Sequence, residues 1–149
     1  MNPVDDLLRQ ARQLLGSMNP AHLDISLPAS PPVPGSWDSE SAGAAEQTAA
    51  QLDHDAQQLR AAHQAVAAAI EEANSISRDA HAQLNTVENA WASDQAALDP
   101  TAEAPEGHAG VLQAAQQHVR EVTAIVQSAA ERFQVAAHRI TTATTSLSN

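Results

Sequence analysis

The sequence contains no cysteine, no lysine and no tyrosine, and its aromatic residues are two tryptophans and one phenylalanine. Without cysteine the chain forms no disulfide and offers no thiolate ligand to zinc. Aromatic residues make up only 2% of the chain, which leaves little material for a pocket that would hold a small-molecule substrate or a cofactor. No run of about 18 apolar residues occurs, so we expect no membrane span.

Positive charge is also scarce. Seven arginines face 18 acidic residues, and the formal net charge is −11. Binding to a nucleic acid depends on clustered lysine and arginine, so this composition argues against a nucleic-acid partner. The same charge disfavours adsorption to anionic membranes.

We expect no cleavable signal peptide at the amino terminus. Asp5 and Asp6 interrupt the first 15 residues, which have no continuous apolar core. We therefore expect a protein that is secreted or reaches the cell envelope by a route independent of a signal peptide, and that is otherwise cytoplasmic.

Alanine is abundant, and apolar residues recur every seven positions in two parts of the chain, as in the seam of a coiled coil. The later series consists of Leu112, Val119, Val126, Phe133, Ile140 and Leu147. The earlier series consists of Ile70, Ser77, Leu84, Trp91 and Leu98. Folded back on each other, these series place Trp91 opposite Val119, and Phe133 opposite Ser77 between Ala73 and Ala80. The pattern predicts an all-α protein built on a long, coiled-coil-like antiparallel helical hairpin.

Prolines divide the chain into three parts. Residues 1–16 are predicted to form a short amphipathic helix, and residues 17–36 a proline-rich linker. Residues 37–149 form the predicted hairpin, with helices at about 38–98 and 105–146 because Pro100 and Pro105 bracket the turn. Ser36 or Ser39 is the expected cap of the first long helix.

Two apolar surfaces remain uncovered in this prediction and are candidates for binding another helical protein or a second copy of the chain. One is the exposed stripe at the start of the long helix, formed by Leu52, Ala56 and Leu59. The other is the apolar face of the first helix, formed by Leu7, Leu8, Ala11, Leu14 and Leu15. Either the first helix covers the stripe or another protein does.

The seven histidines are candidate metal ligands. Metal sites on helices use ligands one turn apart, as in His-x-x-x-His or Glu-x-x-His, and His118 with Glu121 is the nearest approach to that spacing. Neither a glycine-rich phosphate loop nor a Gly-x-Ser-x-Gly motif occurs. We therefore expect no enzyme activity, no cofactor and no metal.

Trp91 permits two interpretations. On a seam near the predicted bend it is a packing residue that closes the end of the hairpin. A tryptophan followed two residues later by a small residue, here Ser93, in an alanine-rich hairpin without a signal peptide also resembles the WXG-type substrates of actinobacterial type VII secretion. Ser93 replaces the glycine of that motif. The tyrosine of the export signal found in such systems is absent, so export would depend on a partner that carries the signal.

A narrower resemblance covers residues 40–148. The segments at 76–80, Trp91 with Asp94, 98–100, 105–107, 132–134 and 139–140 are similar to a poorly characterised mycobacterial-type domain family that gene context links to type VII systems. Members occur as small proteins and as amino-terminal parts of larger ones. The resemblance implies a non-enzymatic protein that pairs with a helical partner as a secreted substrate or export partner. The alternatives are a targeting or spacer module of a larger toxin or cell-wall enzyme, and a cytoplasmic adaptor or chaperone.

Overall fold

The computed structural model describes residues 2–22, 42–101 and 103–148. In these residues the chain is helical and has no strand, which confirms the predicted all-α class. Its three α-helices are α1 (Pro3–Met18), α2 (Ala42–Leu98) and α3 (Pro105–Thr145). Short 3-10 turns at Pro20–His22 and Asp99–Thr101 follow α1 and α2. With 57 residues, α2 is about 85 Å long at 1.5 Å per residue.

Helix α1 is longer than the sequence indicated. The Asn2 side chain accepts a hydrogen bond from the Val4 amide at 3.4 Å and caps the helix. Gly16 does not end it. The helix continues to Met18 and stops where Asn19, which precedes Pro20, takes an extended backbone conformation. Residues 17–22 of the predicted linker are therefore largely helical, and residues 23–41, including the predicted caps, lie outside the described residues.

Prolines define the turn between the two long helices. Helix α2 ends at Leu98, two residues before Pro100, and α3 begins at Pro105 with Glu106 in its first turn. A proline at the first helical position loses no intrahelical hydrogen bond, and an acidic side chain there interacts favourably with the helix dipole. Both ends lie where the prolines predicted them.

Contacts between α2 and α3 run the length of α3. Asp94 contacts His118, Asp79 contacts Arg132, and Glu72 contacts Arg139. Residue numbers therefore fall along α2 as they rise along α3.

The first part of α3 is rotated relative to the heptad prediction. Leu112 and Val119 were expected on the seam, but they are 61% and 39% exposed. Farther along α3, the heptad positions Phe133 and Ile140 are buried as predicted. Along the whole helix, the buried residues Gly107, His118, Ala129 and Ile140 are 11 positions apart. In a straight helix with 3.6 residues per turn, residues seven positions apart are offset by about 20° around the helix axis. Residues 11 positions apart are offset by about the same angle in the opposite direction. His118, and not Val119, therefore faces Trp91.

Helix α1 packs beside the other two helices. Its residues Val4, Leu8, Ala11 and Leu15 join the main core, which contains residues 73–91 of α2 and 122–136 of α3. The Arg12 guanidinium donates hydrogen bonds to Asn85 at 2.9 Å and Glu88 at 2.5 Å. The alternative in which α1 covers Leu52 and Ala56 is therefore wrong.

Candidate functional site

The first part of α2 extends past the end of α3. The last core contacts between the two helices join Val66 and Ala69 to Ile140 and Ala143, and α3 ends at Thr145. Residues 42–61, which we call the arm, correspond to about 30 Å of helix. Within residues 43–61 no side chain is classed as buried.

The two predicted partner surfaces have different environments. In the arm, Leu52, Ala56 and Leu59 are partly buried along one side of the helix. On α1, by contrast, the predicted face serves the protein's own core. Leu8, Ala11 and Leu15 are buried, Leu7 is partly buried, and Leu14 alone is exposed. On this face of α1, only Leu14 and the accessible part of Leu7 therefore remain for contact with another protein.

A cluster of titratable groups lies near the α2–α3 turn. His118 is 3% exposed, and its Nε2 lies 2.7 Å from a carboxylate oxygen of Asp94 on α2. Its Nδ1 lies 2.9 Å from a carboxylate oxygen of Glu121, one turn along α3. Gln117 donates a further hydrogen bond to Glu121 at 3.1 Å. We call Asp94, His118 and Glu121 the histidine cluster.

The hydrogen bonds of this cluster define the charge of His118. An ionised carboxylate only accepts hydrogen bonds, so both ring nitrogens must donate and the ring must carry a positive charge. Burial alone would lower the pKa of His118, but the hydrogen bonds and negative charges of Asp94 and Glu121 outweigh burial and raise it. The hydrogen bond from His118 in turn lowers the pKa of Glu121. The buried ring is a charged link between the two helices.

Trp91 packs against this link. It is 2% exposed, and its ring meets that of His118 edge to face, with centroids 5.7 Å apart and an interplanar angle of 68°. Its indole Nε1 is buried and has no hydrogen-bond partner among the described residues. Ser93, two residues later, is exposed. The structure therefore gives Trp91 the packing role that the sequence predicted.

Sequence reasoning missed the histidine cluster because it placed Val119 on the seam. The 11-residue spacing of Gly107, His118, Ala129 and Ile140 was the available signal, since it places His118 among small and apolar core positions. A histidine at such a position needs polar partners, and Glu121 one turn along α3 and Asp94 on α2 supply them.

Two shallow grooves lie between α2 and α3. The first, of about 600 Å³, borders the histidine cluster and is otherwise lined by small or apolar side chains such as Ala90, Ala124 and Ile125. The second, of about 560 Å³, lies near the end of α3 between Ala65 and Ala68 on one side and Thr142 on the other. Both are open to solvent and better suited to another protein surface than to an enclosed small molecule.

The cluster offers little for catalysis. Both nitrogens of His118 are engaged by carboxylates, so neither is free to accept a proton from a substrate. Among residues 2–22, 42–101 and 103–148, no three His, Asp or Glu side chains are grouped so that they could hold a metal ion. Within the same residues, no helix is long and apolar enough to cross a membrane.

Comparison of the chain with models of protein families, with curated proteins and with solved structures found no match. The resemblance to the type VII secretion family therefore stays a prediction from the sequence.

The histidine cluster should make stability depend on pH. Because folding raises the pKa of His118, its contribution is complete below its unfolded value near 6.5 and is lost as the pH rises through the folded value. Glu121 contributes fully above its unfolded pKa near 4.5 and loses that contribution as the pH falls through its lowered folded value. We expect the free energy of unfolding, measured by urea titration, to fall as the pH rises above 6.5.

His118→Gln provides the comparison, and the exposed His138→Gln is the matched control. The fall above pH 6.5 should be weaker in His118→Gln and unchanged in His138→Gln. Equal slopes in all three proteins would contradict a charged His118 in the folded state.

Proposed function

We propose that this protein acts by pairing its helices with those of another helical protein and not by catalysis. The observation that carries the proposal is the arm, a helical segment of about 30 Å beyond the end of α3. It carries Leu52, Ala56 and Leu59 along one side. Residues at this spacing form the stripe by which an amphipathic helix packs on a neighbour.

We also infer that α2 and α3 act as an antiparallel helical hairpin that presents this arm. The pairs Asp94–His118, Asp79–Arg132 and Glu72–Arg139 support the inference because they follow one another in opposite chain directions. The apolar core between α2 and α3 would fix the position of each helix along the axis of the other. An arm that extends from such a hairpin can pack on one or two helices of a partner and complete a bundle.

The charge of the protein indicates which partner would fit the arm. Asp53 and Asp55 flank the stripe, and the whole chain carries a formal charge of −11. A partner with arginine or lysine beside its own apolar stripe would complement this surface, and such complementarity speeds association and selects partners. We propose a separate, less acidic helical protein for the arm.

The sequence resemblance supplies the cellular setting of this proposal. We propose that the pair is exported by, or assists, a type VII secretion system, with the partner providing the export signal. Detection of the protein in the culture filtrate of its host, and its loss when the secretion system is inactivated, would support this setting. If the protein stays in the cell whether or not the secretion system is active, the result would oppose export and favour a cytoplasmic adaptor.

Leu52→Glu tests the arm. A carboxylate in an apolar helix contact lacks a partner, so we expect this variant to bind the partner at least tenfold more weakly, or about 1.4 kcal/mol. The assay is calorimetric titration against a helical protein first captured from the native host by the tagged chain. Helix content by circular dichroism should be unchanged.

Gln57→Glu is the matched control because it adds the same charge at an exposed position of the arm. It should bind like the parent protein. If Leu52→Glu also binds like the parent, the arm is not the interface.

A further inference from the structure

The histidine cluster lies where the tightly packed part of the α2–α3 pair ends. Trp91 and His118 are the last side chains classed as buried on α2 and α3 before the turn. Among residues 92–101 and 103–117, which we call the tip, only Gly107 is classed as buried, and it has no side chain to pack. The cluster thus separates the core of the protein from a tip without buried side chains.

Few apolar contacts hold the tip closed. Leu98 packs against Gly110, since a Cβ added to this glycine would lie 3.2 Å from the Leu98 side chain. Val111, Ala114 and Ala115 are partly buried against the main core. A segment that buries little apolar surface opens at a lower free energy than the protein as a whole. The contacts at the base of the tip therefore have a large influence on how often it opens.

The hydrogen bonds of His118 are the polar part of these contacts. A neutral imidazole has one N–H and can donate to Asp94 or to Glu121, but not to both. The two carboxylate side chains are 46% and 41% exposed, so either can turn towards water. Loss of the proton therefore removes one hydrogen bond. The bond across the helices to Asp94 is then either lost or left with an uncharged donor.

The charged groups around the cluster favour the protonated ring. The charged side chains of α1 contact other partners, as in the pairs Asp6–Arg9 and Arg12–Glu88, or are exposed, as is Asp5. The other titratable side chains between Trp91 and Glu121 are exposed and comprise Asp99, Glu103, Glu106, His108 and Arg120. Carboxylates outnumber cations in this set, so a neutral His118 leaves the closed tip with excess negative charge.

We propose that His118 is a proton-controlled latch on the tip. The charged ring joins α2 to α3 next to the turn and keeps the tip closed. When the ring loses its proton, the tip separates locally while the core shared with α1 stays folded. Opening withdraws His118 from the indole of Trp91, against which it packs in the closed state. The latch involves neither the arm nor its partner, so the inference does not rest on the proposed function.

The direction of the response to pH follows from the charge of the closed state. Burial lowers the pKa of His118, but the hydrogen bonds and charges of Asp94 and Glu121 outweigh burial and raise it. The pKa of Glu121 is lowered by its hydrogen bond from His118. The closed tip is therefore most stable between the unfolded pKa values of Glu121, near 4.5, and His118, near 6.5. It weakens as the pH rises through the folded value of His118.

Amide hydrogen exchange of the full chain tests the latch. Exchange of individual peptides is followed by mass spectrometry from pH 6 to pH 9 and corrected for the intrinsic rate at each pH. We expect protection of the tip to fall by at least about fivefold over this range. Opening of the tip alone exposes little surface, so its protection should depend weakly on low concentrations of urea. Protection of the core at residues 73–91 should depend on urea steeply.

His118→Gln removes the titrating ring, and His108→Gln is the matched control because His108 is an exposed histidine within the tip. Protection of the tip should be low and nearly constant with pH in His118→Gln, whereas His108→Gln should respond like the parent. The parent protein decides the proposal even if His118→Gln fails to fold. Tip amides that show no response to pH, or that follow the steep urea dependence of the core, would overturn it.

Discussion

Phe133→Ala is expected to lower the free energy of unfolding by about 3–5 kcal/mol. Phe133 is 2% exposed and belongs to the core cluster that also contains Ala73, Ile76 and Ala80 of α2. Phe133 is therefore the largest apolar side chain that α3 contributes to the core shared by α1, α2 and α3. A close-packed core relaxes only partly around a missing side chain, so most of the cavity should persist.

Urea titration at pH 6 measures this loss, with the adjacent Gln134→Ala as the matched control. Gln134 is exposed on the same turn of α3, and its truncation should change stability by less than about 0.5 kcal/mol. A loss below about 1 kcal/mol for Phe133→Ala would show that the core rearranges around the missing ring, contrary to the packing described above.

Trp91→Ala should have an effect of similar size, about 3–5 kcal/mol. The indole is buried against His118 at the end of the α2–α3 pair. Its removal takes away apolar area and also opens the histidine cluster to water, which weakens the charged hydrogen bonds of His118. The α2–α3 turn should therefore lose protection against amide hydrogen exchange.

Trp91→Phe separates the two contributions of the indole. The buried Nε1 has no partner among the described residues, and an unpaired buried donor costs about 1–3 kcal/mol. Phenylalanine removes that donor while it retains a ring. We therefore expect Trp91→Phe to be clearly less destabilising than Trp91→Ala, and Ser93→Ala, at an exposed position, to change stability by less than about 0.5 kcal/mol. Equal losses in the two Trp91 variants would mean that the indole N–H is satisfied in solution.

These substitutions also address the motif interpretation of Trp91. Packing against His118 accounts for a tryptophan at this position without a recognition role. If Trp91→Phe keeps both stability and partner binding, the resemblance to the WXG motif has no functional consequence in this chain. If it keeps stability but loses partner binding, Trp91 has a role beyond the core.

Much of the fold could be predicted from residue patterns because helices obey local rules. Pro100 and Pro105 marked the turn to the residue, and the burial of Phe133 and Trp91 followed from their periodicity. Such features depend on backbone geometry and on the size of nearby side chains. These features are encoded in each segment of the sequence and do not depend on contacts with other helices.

The candidate site was harder to predict because it depends on helix rotation. The buried stripes that a heptad and an 11-residue pattern predict diverge by about 40° around the helix axis after a few turns. This difference is enough to place His118 in the core instead of Val119. The predicted stripe of Leu52, Ala56 and Leu59 lies in the arm. The predicted face of α1, in contrast, is used mainly inside the protein, since a short amphipathic helix fits a partner and its own chain equally well.

The sequence by itself determined that this chain is helical, where its long helices meet at the turn, and that it is acidic and poor in aromatic residues. Only the tertiary structure decided which side of the first part of α3 faces α2, where α1 packs, and that His118 is a buried charged link between two carboxylates. The physical reason is the distance along the chain over which each interaction acts. Helix formation and termination are decided within a few residues, whereas rotation, docking and the pKa of a buried group depend on contacts between residues far apart in the chain.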